Sequence, residues 1–278
     1  MLDAEDIAEL LRSSGLDARR SLGQNFVADP GLVHRIARLA GVGPGDHVLE
    51  VGPGLGSLTL ALADAGATVL AVEKDDSLVP VLRGVLEARG VEGVTVLPGD
   101  ALELAWAEVL SGADTWAFVA NLPYNVAVPI VLSVLEHAPM VQRLVVMVQR
   151  EVAERLAAGP GGRTIGIPSL RVAWYGSAEV LEVVPPEVFV PPPRIESALL
   201  RIERRPPPTT AVPESEVLEL VTRAYRQRRK MLRSTLGDLV GADRFEAAGV
   251  DPTTRPEQLG VEDWVRLAEA CRDGWDSP

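Results

Sequence analysis

Five short apolar runs recur through the first 160 residues with helical patterns between them: HVLEVG (47–52), ATVLAVE (67–73), VTVLPGD (94–100), TWAFVAN (115–121) and LVVMVQ (144–149). The helical patterns run from Gly56 to Ala65, Ser77 to Ala88 and Pro129 to Glu136. Strands that are apolar throughout are buried on both faces, and helices between them supply the crossovers of a parallel sheet. The pattern predicts a doubly wound α/β domain. AEVLEVV (178–184) and SALLRIE (197–203) are expected to pair antiparallel at one edge. Between them VPPEVFVPPPR is too proline-rich for strand or helix and is expected to be an ordered loop.

RRPPPTTAVPES (204–215) has the composition of a semi-rigid linker. Beyond it, residues 216–240 read as one helical pattern, followed by Asp243 to Ala248 and Val261 to Cys271. Turn signals stand at Gly249, Pro252 and Pro256. The predicted organisation is therefore a larger domain, 1–210, and a small all-helical domain, 211–278. The N-terminal MLDAEDIAELL is acidic and amphipathic, unlike a secretory leader, and no apolar stretch approaches membrane-spanning length. One cysteine, Cys271, excludes an internal disulfide and reads as a core thiol of a reducing compartment. A cytoplasmic, monomeric protein is expected. No cysteine or histidine cluster has metal-ligand spacing, so no metal is expected, and His34, His47 and His137 fall outside every motif.

EVGPGLGS (50–57) follows the first strand and opens a helix. Glycines at 52, 54 and 56 let a backbone approach a ligand closely, although a tight turn without a ligand has the same composition. A dinucleotide fingerprint wants glycine at the sixth position, where this chain has Ser57. The pattern suits a ligand without a pyrophosphate whose amino acid portion lies over the turn. Glu73 ends the second strand, placed to accept from both ribose hydroxyls, and Asp100, after the third, to accept from an adenine amino group. Solvated carboxylates at strand ends are common singly. Three such features at successive strand ends point to S-adenosylmethionine, because open sheets bind ligands along that edge.

The fourth strand stops at NLPY (121–124), on the same edge. Asn121 offers a side-chain acceptor and Leu122 a peptide C=O. Pro123 fixes the chain and contributes no N–H, and Tyr124 presents a flat face. Two acceptors converging on an exocyclic NH₂ would aim its nitrogen lone pair at an electrophile while the ring stacks on the base. The other reading is a strand followed by an Asn-Pro turn.

These stretches, with GQNFVAD (23–29), VEKD (72–75), GDAL (99–102), QREVAERL (149–156), VFVPPPRIESALLR (188–201) and RQRRKMLRSTL (226–236), run in order over nearly the whole chain. Together they resemble the class I S-adenosylmethionine-dependent methyltransferases, and within them the ribosomal RNA adenine N6-methyltransferases, most nearly the KsgA family. The resemblance implies a Rossmann-like catalytic domain that dimethylates the N6 amino groups of two adjacent adenosines near the 3′ end of small-subunit (16S) ribosomal RNA. The partner it implies is a partly assembled small subunit, late in ribosome biogenesis. It implies cofactor contacts at Asn25, Val27, Gly52, Glu73, Asp100 and Asn121, with Gly54 in the same turn, and a role beside the target base for Phe189. Phe189 sits in the proline-stiffened loop and is expected to face Tyr124 across a flipped adenine. The chain departs from the family pattern at TIGIPSL (164–170), with Ile165, Ile167 and Pro168. Two other functions stay in view: an Erm-type enzyme acting on large-subunit RNA, and a non-catalytic ribosome assembly factor.

Net charge is −12, from 39 acidic and 27 basic residues, which opposes indiscriminate binding of nucleic acid. Against that background RAYRQRRKMLR (223–233) has six basic residues and no acidic one. On a single helix Arg223, Arg226, Lys230 and Arg233 would share one face, widened by Arg228 and Arg229. A solvated helix surface has the same composition; the contrast with the acidic total favours contact with RNA phosphates.

Overall fold

A computed structural model describes residues 1–19 and 23–272 and divides the chain into two compact units. One comprises 1–153 with 178–204, the other 154–177 with 205–278. The linear division at 210/211 thus differs in two respects: the segment 154–177 joins the helical unit, and that unit resumes at 205 rather than 211. The segment's Ile165, Leu170 and Trp174 are apolar and find their core there. Residues 20–22 and 273–278, which the predicted domains include, lie outside the described residues.

The first unit is built on a seven-stranded sheet. Strands β2 (His47–Val51), β3 (Thr68–Glu73), β4 (Val94–Pro98), β5 (Trp116–Asn121) and β6 (Val141–Gln149) are parallel. They coincide with the five apolar runs. β9 (Ser197–Arg204) runs antiparallel to β6 and lies between it and β7 (Gly176–Val184), which forms the edge. The strand order is β4-β3-β2-β5-β6-β9-β7. Side chains alternate across the sheet, so Val48, Val69, Ala71, Val119, Val145 and Met147 bury one face against α2 (Pro30–Ala40) and α3 (Ser57–Asp64). Leu49, Phe118, Leu144, Val146 and Val148 are as deeply buried on the other. The later crossovers carry α4 (Val79–Ala88), the short α5 (Trp106–Val109) and α6 (Ala127–His137), and α7 (Arg150–Leu156) follows β6 directly. Phe26, Leu55, Leu78 and Leu82 form a further cluster with Leu2 and Ile7, the latter from α1 (Ala4–Ser13).

The proline-rich loop departs from its predicted form. It contains a two-residue strand, β8 (Phe189–Val190), paired antiparallel with β1 (Phe26–Val27). Pro185 and Pro186 precede this pair and Pro191 to Pro193 follow it, so no proline N–H is missing from the ladder.

In the helical unit, α9 (Glu214–Tyr225) presents Val217, Leu220, Val221 and Ala224 at i, i+3, i+4 and i+7 to a core shared with α12 (Val261–Cys271). Phe245 of α11 (Ala242–Ala247) joins that core, and Cys271 is fully buried there. α8 (Ile167–Tyr175) begins with Pro168 in its first turn, where the missing N–H costs nothing, and Ile165 enters the same core. The residues that depart from the family pattern therefore have a structural role in this unit.

The single helix expected over 216–240 does not form. α9 ends at Tyr225, turns occupy 226–230, and α10 (Leu232–Thr235) starts anew. One helix would stack Arg226, Arg229, Lys230 and Arg233 at i,i+3 and i,i+4, which like charges oppose. The break instead buries Leu232 completely, and the Leu232 and Arg233 N–H groups donate to Thr254 and Pro252 carbonyls at 2.9 Å.

Candidate active site

The carboxyl ends of β2, β3 and β5 and the turn after β4 line one cleft, about 1050 Å³ counting the space open to solvent. It receives Asn25, Val27, Gly52, Gly54, Glu73, Asp100 and Asn121, together with Leu122, Pro123 and Tyr124. The three histidines lie outside it.

The floor is the glycine turn. Gly52, Gly54 and Gly56 have φ of +72°, +59° and +98°, a region that costs other residues strain. A Cβ on Gly54 would stand 2.9 Å from the Phe26 ring, and one on Gly52 3.4 Å from Pro123 Cδ. The turn thus packs directly between the GQNF and NLPY segments.

Glu73 is fixed by the backbone: one carboxylate oxygen accepts from Gly54 N–H at 3.0 Å, the other from Asp75 N–H at 2.8 Å. Burial holds its pKa up, partly offset by those two N–H groups. Each oxygen retains a lone pair for a hydroxyl. Asp100 accepts from Lys74 Nζ at 2.5 Å and from Leu102 N–H at 3.0 Å, and Lys74 chiefly lowers its pKa. The Lys74 side chain is 61% exposed, so this pair is weak and exchangeable.

Two buried side chains in the cleft carry a polar atom with no hydrogen-bond partner among the described residues. Glu50, 1% exposed, has one carboxylate oxygen without a hydrogen bond, and Ser57 Oγ at the start of α3 is likewise unpaired. Burial pushes the Glu50 pKa up to about 8, with Thr59 lowering it and Glu73 raising it further. An orphaned carboxyl beneath a glycine turn, with a second acid at the next strand end, matches a nucleoside that carries a cationic amino acid. The donor set fits S-adenosylmethionine.

At the end of β5, Asn121 Nδ2 donates to the Asn25 carbonyl at 3.0 Å. That contact commits the donor half of the amide and leaves its oxygen as the acceptor. Pro123 C=O accepts from Val126 N–H at 3.1 Å, whereas Leu122 C=O has no such donor among the described residues. The Leu122 side chain is buried, anchoring the peptide, and its N–H donates to Met147 C=O at 3.0 Å. Two backbone-fixed acceptors therefore remain for an incoming amino group. Tyr124 shares a 2.6 Å hydrogen bond with Ser197 Oγ, and its pKa is raised by burial against that bond.

Phe189 corrects the sequence reading. It does not line the cleft: it is 2% exposed and packs with Val27, Met147 and Leu199. Pairing with β1, opposite Val27, turns it into the core. The loop reaches the site through Ser197 instead, which stood unremarked at the end of VPPPRIES. Also missed was the brace behind Glu73. Asp75 accepts from Gln24 at 2.8 Å, Ser77 Oγ at 2.6 Å and Arg19 at 3.2 Å. Burial opposes its ionisation, but these donors prevail and its pKa is lowered. Gln24 and Asp75 lie within the GQNF and VEKD stretches, which were the available signal.

The six basic residues differ among themselves. Arg228 pairs with Glu257 at 2.8 Å and donates to Arg163 C=O at 2.6 Å; Arg223 pairs with Asp238. Arg233 lies in the field of Asp251. Arg226, Arg229 and Lys230 are exposed with no ion pair among the described residues. No described group of His, Cys, Asp and Glu is placed to hold a metal ion, and no described helix is long and apolar enough to cross a membrane.

The model of the ribosomal RNA adenine dimethylase family matches residues 15–273. A Ribosomal RNA small subunit methyltransferase A of Kineococcus radiotolerans is 48% identical, over 96% of this chain and 91% of that protein. Its namesake of Acidothermus cellulolyticus is 46% identical, over 97% and 94%. Among solved structures, the 23S rRNA methyltransferase ErmE superposes with a TM-score of 0.68 at 27% identity, covering 89% of this chain and all of that one. A dimethyladenosine transferase of Plasmodium falciparum gives 0.72 at 21% identity, covering 87% and 95%, a likeness of fold alone.

Proposed function

The chain belongs to the ribosomal RNA adenine dimethylase family, and from that premise we propose that it dimethylates N6 of two adjacent adenosines near the 3′ end of 16S ribosomal RNA. It is an S-adenosylmethionine-dependent methyltransferase of class I fold. The observation that carries the reading is the pair of fixed acceptors, Asn121 Oδ1 and Leu122 C=O, in a cleft shared with Gly52, Glu73 and Asp100.

When bound, S-adenosylmethionine supplies an electrophilic methyl group. Gly52 and Gly54 would provide the close floor for it, Glu73 would accept from its ribose hydroxyls, Asp100 from its adenine amino group, and Asn25 and Val27 would cover it. Asn121 and Leu122 hold the two N6 protons of the target adenine, which directs the nitrogen lone pair along the line of transfer. Tyr124, steadied by Ser197, stacks on the base. Catalysis rests on proximity and alignment, with the carbonyl dipoles stabilising the positive charge that develops on nitrogen. No general base is needed, because an alkylated aromatic amine loses its proton to water.

The substrate is a small-subunit assembly intermediate, met by the protein as a cytoplasmic monomer. Arg226, Arg229 and Lys230 contact RNA phosphates from the helical unit, with Arg223 and Arg233 at the margins of the patch and Arg228 maintaining its shape. The small-subunit relatives stand nearer to this chain in identity than the 23S rRNA enzyme does. The test is transfer of labelled methyl to small subunits lacking the modification, beside large subunits. Label in the small subunit alone is expected. Label in the large subunit would replace this reading with the Erm-type activity, and binding without transfer would leave an assembly factor.

A further inference from the structure

Among the described residues five large apolar side chains are exposed: Leu102, Val180, Val183, Ile195 and Met231. Ile195 is the most exposed of these, at 47%, and it stands in a loop stiffened by three prolines. Pro191, Pro192 and Pro193 precede it, each with a fixed φ. The loop is held at both ends: Val190 pairs with Phe26, and Ser197 pairs with Gln149 at the end of β6. Glu196 is clipped twice to Arg150, its C=O accepting from Arg150 N–H at 3.0 Å and its carboxylate from the guanidinium at 2.9 Å. Arg194 is exposed and has no ion-pair partner among the described residues.

A rigid loop that presents an uncovered isoleucine beside an uncommitted arginine gains nothing for folding. Its position suggests a use. Ser197 holds the Tyr124 hydroxyl at 2.6 Å, and Ile195 is two residues away, within roughly 7 Å of chain. The acceptors for the target amino group are recessed: Leu122 is 1% exposed and Asn121 only partly exposed. An adenine cannot reach them from within a base stack, so it must be extruded, and extrusion leaves a gap. Branched apolar side chains fill such gaps by wedging between bases, while arginine fixes the neighbouring phosphate.

We propose that Arg194 and Ile195 form an RNA wedge: Ile195 enters the stack vacated by the target adenosine, and Arg194 grips the phosphate beside it. The inference rests on the adenine-methylating reading above. It makes Ile195 a positioning residue, acting on where the base lies rather than on the transferring group.

The test uses small subunits reassembled with RNA carrying 2-aminopurine at the first target position, which brightens on unstacking. The unaltered protein with S-adenosylmethionine is expected to raise the signal several-fold. Ile195→Ala should give less than half that rise and Ile195→Leu should restore it. On normal RNA Ile195→Ala should lose about tenfold in kcat/KM, and less than threefold when an abasic site next to the target has already removed a stacking partner. Arg194→Gln should lower the salt slope of binding by about one. An unaltered 2-aminopurine response in Ile195→Ala, or equal losses on the two RNAs, would overturn the wedge while leaving the function standing. Failure of the unaltered protein to methylate would remove the function and the wedge together.

Discussion

The two ends of the Asn121 amide are used differently: the nitrogen is tied to Asn25 C=O, and the oxygen is thereby set as an acceptor. Tyr124 is governed in the same way from outside its own motif, by Ser197. Removing that hydroxyl leaves a half-buried phenol without its partner, at a cost of about 1 kcal/mol. Ser197→Ala should therefore lower the melting temperature slightly and reduce kcat more than it changes the S-adenosylmethionine Kd, as steady-state kinetics and calorimetric titration would read. Equal effects on cofactor affinity and kcat would remove Tyr124 from the base-holding role. Glu50 makes a prediction about pH. Its carboxyl is pushed from 4.5 to about 8, chiefly by burial, so the folded protein holds this proton more tightly than the unfolded chain does. The associated stability is complete below 4.5 and is lost as pH rises towards 8. The ligand-free protein should melt at progressively lower temperature from pH 5 to pH 8, and Glu50→Gln should flatten most of that slope. An unchanged slope would contradict the assignment.

On the proposed reading, two elements divide the functional work differently. The turn between β2 and α3 serves through its backbone. Gly54→Ala must place a Cβ 2.9 Å from Phe26 at φ +59°, which costs about 1–3 kcal/mol and displaces the cleft floor. S-adenosylmethionine affinity should fall at least tenfold in a titration while the circular dichroism spectrum is retained; undiminished affinity would take the turn out of the cofactor site. The segment 226–230 serves through charge. Replacing Arg226, Arg229 and Lys230 together by alanine should reduce the slope of log K against log salt by about 2 for RNA binding, with the melting temperature preserved. Arg228→Ala should do the reverse, lowering the melting temperature with little change in slope, since its guanidinium holds Glu257 and the Arg163 carbonyl. If all four behaved alike, the distinction between paired and unpaired basic residues would fail.

For the whole molecule, the sheet was legible because its central strands β2, β5 and β6 are buried on both faces and so read as apolar runs. The cleft was legible because its residues stand at successive strand ends, a position that sequence order preserves. What escaped depended on tertiary partners. The break after Tyr225 follows from Leu232 finding a core and from amide bonds to residues 252–254. Phe189 went inward because of a two-residue pairing with β1 that no periodicity announces. Segment 154–177 joined the helical unit through apolar residues whose spacing does not say which core they enter. On the proposed reading, Asn121 and Leu122 present an adenine amino group for methyl transfer. The most direct test is mass spectrometry of nuclease-digested 16S RNA, from small subunits lacking the modification, after reaction with the unaltered protein or with Asn121→Ala. Two adjacent N6,N6-dimethyladenosines are expected with the former, and a rate at least about 100-fold lower with the latter. Equal dimethylation by Asn121→Ala, or methyl groups on any other atom, would contradict that reading.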